Sequence, residues 1–281
     1  MKKLFIIPLL AIACQLIFSQ DYIPSREDME KFFKTKTLVV MDQNPLNSYD
    51  SEIKEAMENE WTITEFEFIE YHEFEEKRRN PEYSFLYLVK VTFEKDKLNA
   101  IYRFLNLSLG GDYFDMTVMP DLVSVPVAYN HVEEDSYNYK LGILVRFIQN
   151  HLKLMYEKPE IIKNNIFQYY NENKGSVKGK KLMLLEQEMA SDVNNKSRLS
   201  KVYPYDFEFV TKEEIKEAIL YRDENAVFLH KVGPEGTRLN ARCYKILIGA
   251  GDANFYYFDY HMINDKNPDG FLAKDFKKLS K

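Results

Sequence analysis

Cysteine is nearly absent from this chain: Cys14 and Cys243 are the only two in 281 residues. Cys14 falls in an apolar N-terminal run, so if that run is removed Cys243 is left alone and no intrachain disulfide can form. Its strand-like neighbours Tyr244 and Ile246 mark Cys243 as a small core residue and not a reactive thiol. Histidine is scarce as well, with five residues. No histidine pair stands at helical spacing with a glutamate and no cysteine pair exists, so the pattern of a zinc site is missing. Neither a metal nor a cofactor is expected. A Gly-x-Ser-x-Gly elbow is lacking, which leaves hydrolase chemistry of that kind without an anchor. Gly249-Ala250-Gly251 lacks the third glycine of a dinucleotide loop and joins two strand-like runs, so it is predicted to be a hairpin turn. Positive charge is not in excess either. The formal net charge of −6 argues against a nucleic-acid partner, whose binding rests on lysine and arginine displacing counterions.

What is present begins at the N-terminus. Lys2-Lys3 precede an apolar run from Leu4 to Phe18, and Ser19-Gln20 lead into a polar Asp21, the layout of a bacterial secretory signal. Residues 1–20 are expected to be a cleaved signal peptide and the mature chain to be periplasmic or secreted. The alternative is lipidation at Cys14, which would hold the protein on a membrane; otherwise no membrane association is expected. Against it, Ala11 stands where leucine is usual, and Gln15 to Phe18 stay mostly apolar.

Tyrosine and phenylalanine are abundant, 20 of each, in a composition that is 45% hydrophobic. Such a chain can bury sizeable cores. Phe66-Glu67-Phe68-Ile69, followed by Ser84 to Val89, is echoed by Phe207-Glu208-Phe209-Val210 and then Ala226 to Val232. Self-similarity at so long a period predicts one supersecondary unit built twice. Each copy reads β-α-β-α-β plus an antiparallel hairpin, giving an α/β fold of tandem duplicated domains with mixed sheets. The first copy is placed at 21–130 and the second at 179–265, with a helical connector at 131–178 and a tail at 266–281. In the first hairpin Leu105 to Leu109 should pair with Phe114 to Val118 across Gly110-Gly111-Asp112; in the second, Tyr244 to Ile248 with Tyr256 to Tyr260. Tyr113-Phe114-Asp115 and Tyr257-Phe258-Asp259 would then be equivalent. Between the copies, Leu141, Leu144, Val145, Ile148, Leu152 and Met155 step along one face of a long amphipathic helix.

The argument for a site is topological. If the first strand of each copy lies between the second and third, the loop after it borders a switch point, where open α/β sheets take ligands. Asp42 and Asn44 would line this place in the first copy, and Glu186 and Glu188 in the second. The expected function is that of an exported, non-enzymatic envelope protein binding a protein partner or a surface polymer, with aromatic side chains supplying contacts. Two alternatives stay open: a hydrolase or transferase of envelope polymers using carboxylates such as Asp115 and Asp259, and a small-ligand binder with its site between the copies. Catalytic residues and oligomeric state are not readable.

Overall fold

The computed structural model describes residues 22–42, 48–94, 96, 100–162, 168–236 and 240–281. Cys14, Asn44 and the expected signal peptide lie outside these residues. The chain opens with α1 (Arg26–Phe32), started by a capping box in which Ser25 and Asp28 satisfy each other's backbone N–H groups. Then come β1 (Lys36–Val40), α2 (Tyr49–Glu60), β2 (Phe66–Ile69), α3 (Tyr71–Lys77), β3 (Tyr83–Thr92), β4 (Ile101–Leu109) and β5 (Asp121–Tyr129). These strands form a five-stranded sheet in the order β2-β1-β3-β4-β5. β1 runs parallel to both β2 and β3, and β4 is antiparallel to β3 and β5.

Alternation along β1 separates two packing faces. Val39 points into a cluster with Ile53, Ala56 and Met57 of α2, whereas Leu38 and Val40 join Phe74 of α3, Phe85 and Tyr87 on the other side. The two helices therefore cover opposite faces of the sheet.

The first hairpin is not where the sequence pattern places it. The partner of β4 is Asp121–Tyr129, and residues 113–118 leave the sheet and end in a 3₁₀ turn, Met116–Val118. Arg78 holds this detour by donating to the carbonyls of Tyr113 at 3.0 Å and Phe114 at 3.3 Å. Pro126 is tolerated because β5 is an edge strand with a register shift beside it, so the missing N–H breaks no central ladder.

α4 (Leu141–Glu157) follows as the expected amphipathic helix, then α5 (Gln168–Glu172). The second half contains β6 (Lys181–Leu184), α6 (Lys196–Leu199), β7 (Phe207–Phe209), α7 (Lys212–Leu220), β8 (Ala226–Val232), β9 (Arg242–Gly249), β10 (Phe255–Met262) and α8 (Ala273–Leu279). Its sheet has the order β10-β9-β8-β6-β7. β6 is parallel to β7 and β8, while β9 is antiparallel to β8 and β10. Thr37 pairs with Phe66 in one sheet and Leu182 with Phe207 in the other, which sets Phe68 and Phe209 at matching register positions. Asp115 and Asp259 do not match: Asp259 lies in β10 opposite Lys245, and Asp115 is outside every strand, capping the 3₁₀ turn through Thr117 N.

α4 is shared by both halves. Its buried leucines and isoleucines belong to one core with Val125 and Val127 of β5 and with Phe228, Ile246 and Ile248 of the second sheet. Phe147 stacks on Phe255 with centroids 3.5 Å apart, and the Arg146 guanidinium donates to the carbonyls of Gly251 and Ala250 at 3.0 and 3.2 Å. Glu60 at the end of α2 meets both Arg146 and Arg222. A second seam joins β4 and β5 to β8 and β9, where Tyr102 packs edge-on to Tyr244 and the Nε2 of His230 bonds the Pro126 carbonyl at 3.0 Å.

The C-terminal stretch, expected to be a tail, instead forms α8, which buries Phe276 and Leu279. Asp275, also fully buried, accepts from Lys245 Nζ at 2.7 Å and from Leu272 N at 2.9 Å, so the helix is pinned beneath the sheet. The basic character of Lys277 and Lys278 hid an amphipathic helix of about two turns.

Candidate functional site

The carboxyl end of β1 opens into a cleft of about 270 Å³. The apolar run Leu38 to Met41 ends in Asp42, where the chain leaves the sheet. α2 then starts on one face of the sheet and α3 on the other, and a crevice is left where the connections diverge. Met41, Asp42, Tyr49, Tyr71, Phe74 and Tyr87 form most of its wall, with Met116 contributed by the segment that replaces the expected hairpin. The start of α2 is fixed from outside: Ser48 donates through its backbone N and its Oγ to Glu134 Oε2, at 2.8 and 3.0 Å. α3 opens with a capping box between Glu70 and Glu73.

The wall is aromatic and the charge beside it is negative. Tyr71, Phe74 and Tyr87 make a continuous series, with centroids 6.0 and 5.5 Å apart. Tyr49 is fully buried, and among the described residues its hydroxyl has no hydrogen-bond partner. Burial, and then the nearby carboxylates Asp42 and Asp50, push its phenol far above the ordinary tyrosine range, so it stays protonated. Asp50 Oδ1 accepts from the Asp42 backbone N at 2.8 Å. Behind the wall, Tyr87 bonds Ser108 Oγ, which donates to Asp121. Burial raises the Asp121 carboxyl above the usual range. In the wall Tyr71 is 52% exposed, and Phe114, two residues before Met116, is 86% exposed. Phe114 has its own carbonyl held by Arg78, so the exposed ring stands on an anchored segment.

Asp42 is thus at a switch-point cleft as the topology requires, but the second sheet has no matching opening among the described clefts. Glu186 is exposed on a 3₁₀ turn after β6. Glu188 turns inward, where Lys140 Nζ lies 3.4 Å from its Oε1 while its Oε2 has no partner among the described residues. Beside it lies a space of only about 20 Å³, bordered also by Lys231, Tyr129 and Tyr137. That is room for a water molecule and little more. Asp42 and the Glu186–Glu188 turn therefore belong to separate places and form no joint site. The carboxylates considered for polymer cleavage are also apart: Asp115 caps its turn, and Asp259 accepts from Tyr257 Oη at 2.9 Å and Lys278 Nζ at 2.5 Å on the other sheet.

Another cleft, of about 530 Å³, lies between α4, α5 and the turn from β9 to β10. His151 and Tyr170 meet there, Nδ1 to Oη at 2.5 Å. Burial lowers the His151 pKa to about 3, so the ring is neutral and shares a single hydrogen bond with the tyrosine hydroxyl. The helical spacing of Phe147 and His151 signalled only an inward face, and nothing in the sequence announced the opening. The cluster around Met116 was hidden for a different reason, since only the detour of 113–118 brings it over α3. Among the described residues, no group of three or more His, Cys, Asp or Glu side chains is arranged to hold a metal ion. No helix among them is long and apolar enough to cross a membrane. No protein-family model, curated protein or solved structure matches this chain.

Proposed function

We propose that this is an exported envelope protein that binds a protein partner or a surface polymer, without catalysis, through the cleft at the end of β1 and the exposed Phe114. The observation that carries the reading is the pairing of an aromatic-walled switch-point cleft with a largely exposed phenylalanine on a segment anchored by Arg78. Large exposed aromatics have a cost in water and are strong anchors once covered. The reading includes tandem duplication of one α/β unit, supported by the common strand order and the matching register of Phe68 and Phe209. It also includes removal of residues 1–20, with acylation at Cys14 as the alternative; the mass of the mature N-terminus separates the two.

The test is co-sedimentation of the purified protein with cell-envelope polymer from the native host and, separately, affinity capture from its envelope extract with identification and reconstitution of the partner. Phe114→Ala, at a position 86% exposed, should reduce association at least fivefold while leaving the melting temperature in place. Equal association of the variant and the parent protein would overturn the assignment of this surface.

A further inference from the structure

The cleft walls favour one kind of chemical group. Tyr49, Tyr71, Phe74 and Tyr87 surround a space to which Asp42 adds a carboxylate and Met41 and Met116 add polarisable sulfur. Aromatic faces carry negative quadrupole potential, and a cation seated among several of them is held without the full desolvation cost it would meet in an aliphatic pocket. Acidic groups gather on both sides. Asp50 and Glu52 occupy the first turn of α2, while Glu75 and Asp115 act on Tyr71 from the side of α3. Of the cations nearby, Arg78 is engaged by Glu75 Oε2 at 2.9 Å and by two loop carbonyls, and Arg103 donates to Tyr137 Oη at 3.1 Å. The positive end of α2 is offset by Glu134, which accepts from Ser48.

We infer that the cleft is a receptor for an organic ammonium group, with Tyr71, Phe74 and Tyr87 forming the aromatic wall and Asp42 the counter-charge. The inference rests on the reading of this cleft as the binding site and names what enters it. Two sources share the chemistry: a lysine side chain of a partner protein, and an amine borne by a polymer, as in an unacetylated amino sugar.

The experiment is calorimetric titration of the purified full chain with Nα-acetyl-lysine amide, glucosamine and choline, set against 3,3-dimethylbutanol as the uncharged counterpart of choline. The ammonium probes should bind at least about tenfold more tightly than the neutral alcohol, a margin of about 1.4 kcal/mol that lies within the range for cations on aromatic faces. Preference for the lysine amide would identify a protein source, and preference for glucosamine a polymer source. Asp42→Asn and Tyr71→Leu, both at accessible positions, should each weaken the ammonium probes by about threefold or more. Equal binding of the neutral alcohol, or binding unaffected by Asp42→Asn and Tyr71→Leu, overturns the inference. If envelope association is sensitive to Phe114→Ala while no ammonium probe binds, the inference falls and the binding surface stands. If neither is observed, both fall.

Discussion

Replacing Asp275 with alanine would strand Lys245 inside the second half of the molecule. Lys245 is 1% exposed and Asp275 fully buried, with 2.7 Å between Nζ and Oδ1, and Asp275 also accepts from the Leu272 backbone and from Tyr257. Removing one partner of such a pair leaves a desolvated charge and typically costs about 3–5 kcal/mol. Loss of the acceptor at the start of α8 adds up to about 1 kcal/mol. Asp259 lies close enough to be influenced by Lys245, but it is committed to Tyr257 and Lys278, so it offsets only part of the loss. The melting temperature should then fall by about 6–20 °C, at roughly 2–4 °C per kcal/mol for a protein of this size. Replacing both partners, Lys245→Met with Asp275→Leu, removes the stranded charge and should recover most of the stability, because an apolar pair of similar volume often matches a buried ion pair. Urea unfolding followed by circular dichroism at pH 7, run on Lys245→Met, Asp275→Leu and the double variant beside Asp275→Ala, yields the coupling energy. A loss below about 1 kcal/mol in Asp275→Ala, or a double variant as unstable as the sum of the singles, would refute the electrostatic account of how α8 is held.

Two further outcomes follow from the core. Burial lowers the pKa of both His151 and His230 to about 3, so the unfolded chain, with histidines near 6.5, takes up protons first as pH falls. Their contribution is complete above pH 6.5 and is lost towards pH 3 at about 1.4 kcal/mol per pH unit for each ring; urea midpoints at pH 7, 6 and 5 should show this slope, and His151→Gln should reduce it by about half. An unchanged slope in that variant would refute the assignment. Gly270 has φ +133, and an added Cβ would lie 2.9 Å from Ala190 N and 3.1 Å from Glu188 O. Gly270→Ala should therefore cost at least about 2 kcal/mol in thermal unfolding, whereas Gly175→Ala, with open space around it, should be neutral within about 0.5 kcal/mol.

Local rules made much of the fold legible. The boxes at Ser25 and Thr211 fix helix starts from four residues each, and the stripe from Leu141 to Met155 needs only its own period to be a helix. Strand β5 was lost because Pro126 interrupts its alternation and because Phe114, Met116 and Val118 alternate just as well. Only tertiary bonds from Arg78 take those residues out of the sheet. α8 was lost because its buried residues are few and its lysines dominate the composition. At the site, topology led to Asp42, since switch points follow from strand order alone. Glu188 obeyed the same rule in sequence but faces a buried lysine from a helix start 48 positions earlier, a pairing that no local pattern encodes.

The shared helix α4 also sets a schedule for synthesis. The first sheet and α4 are complete while the face of α4 that meets Phe255, Ile246 and Phe228 still waits for strands not yet made. During that interval a long apolar stripe is open to solvent or to whatever holds nascent chains, and this face of α4 is covered only when β10 has been added. Order of emergence, and not only affinity between parts, therefore governs when this molecule stops being sticky.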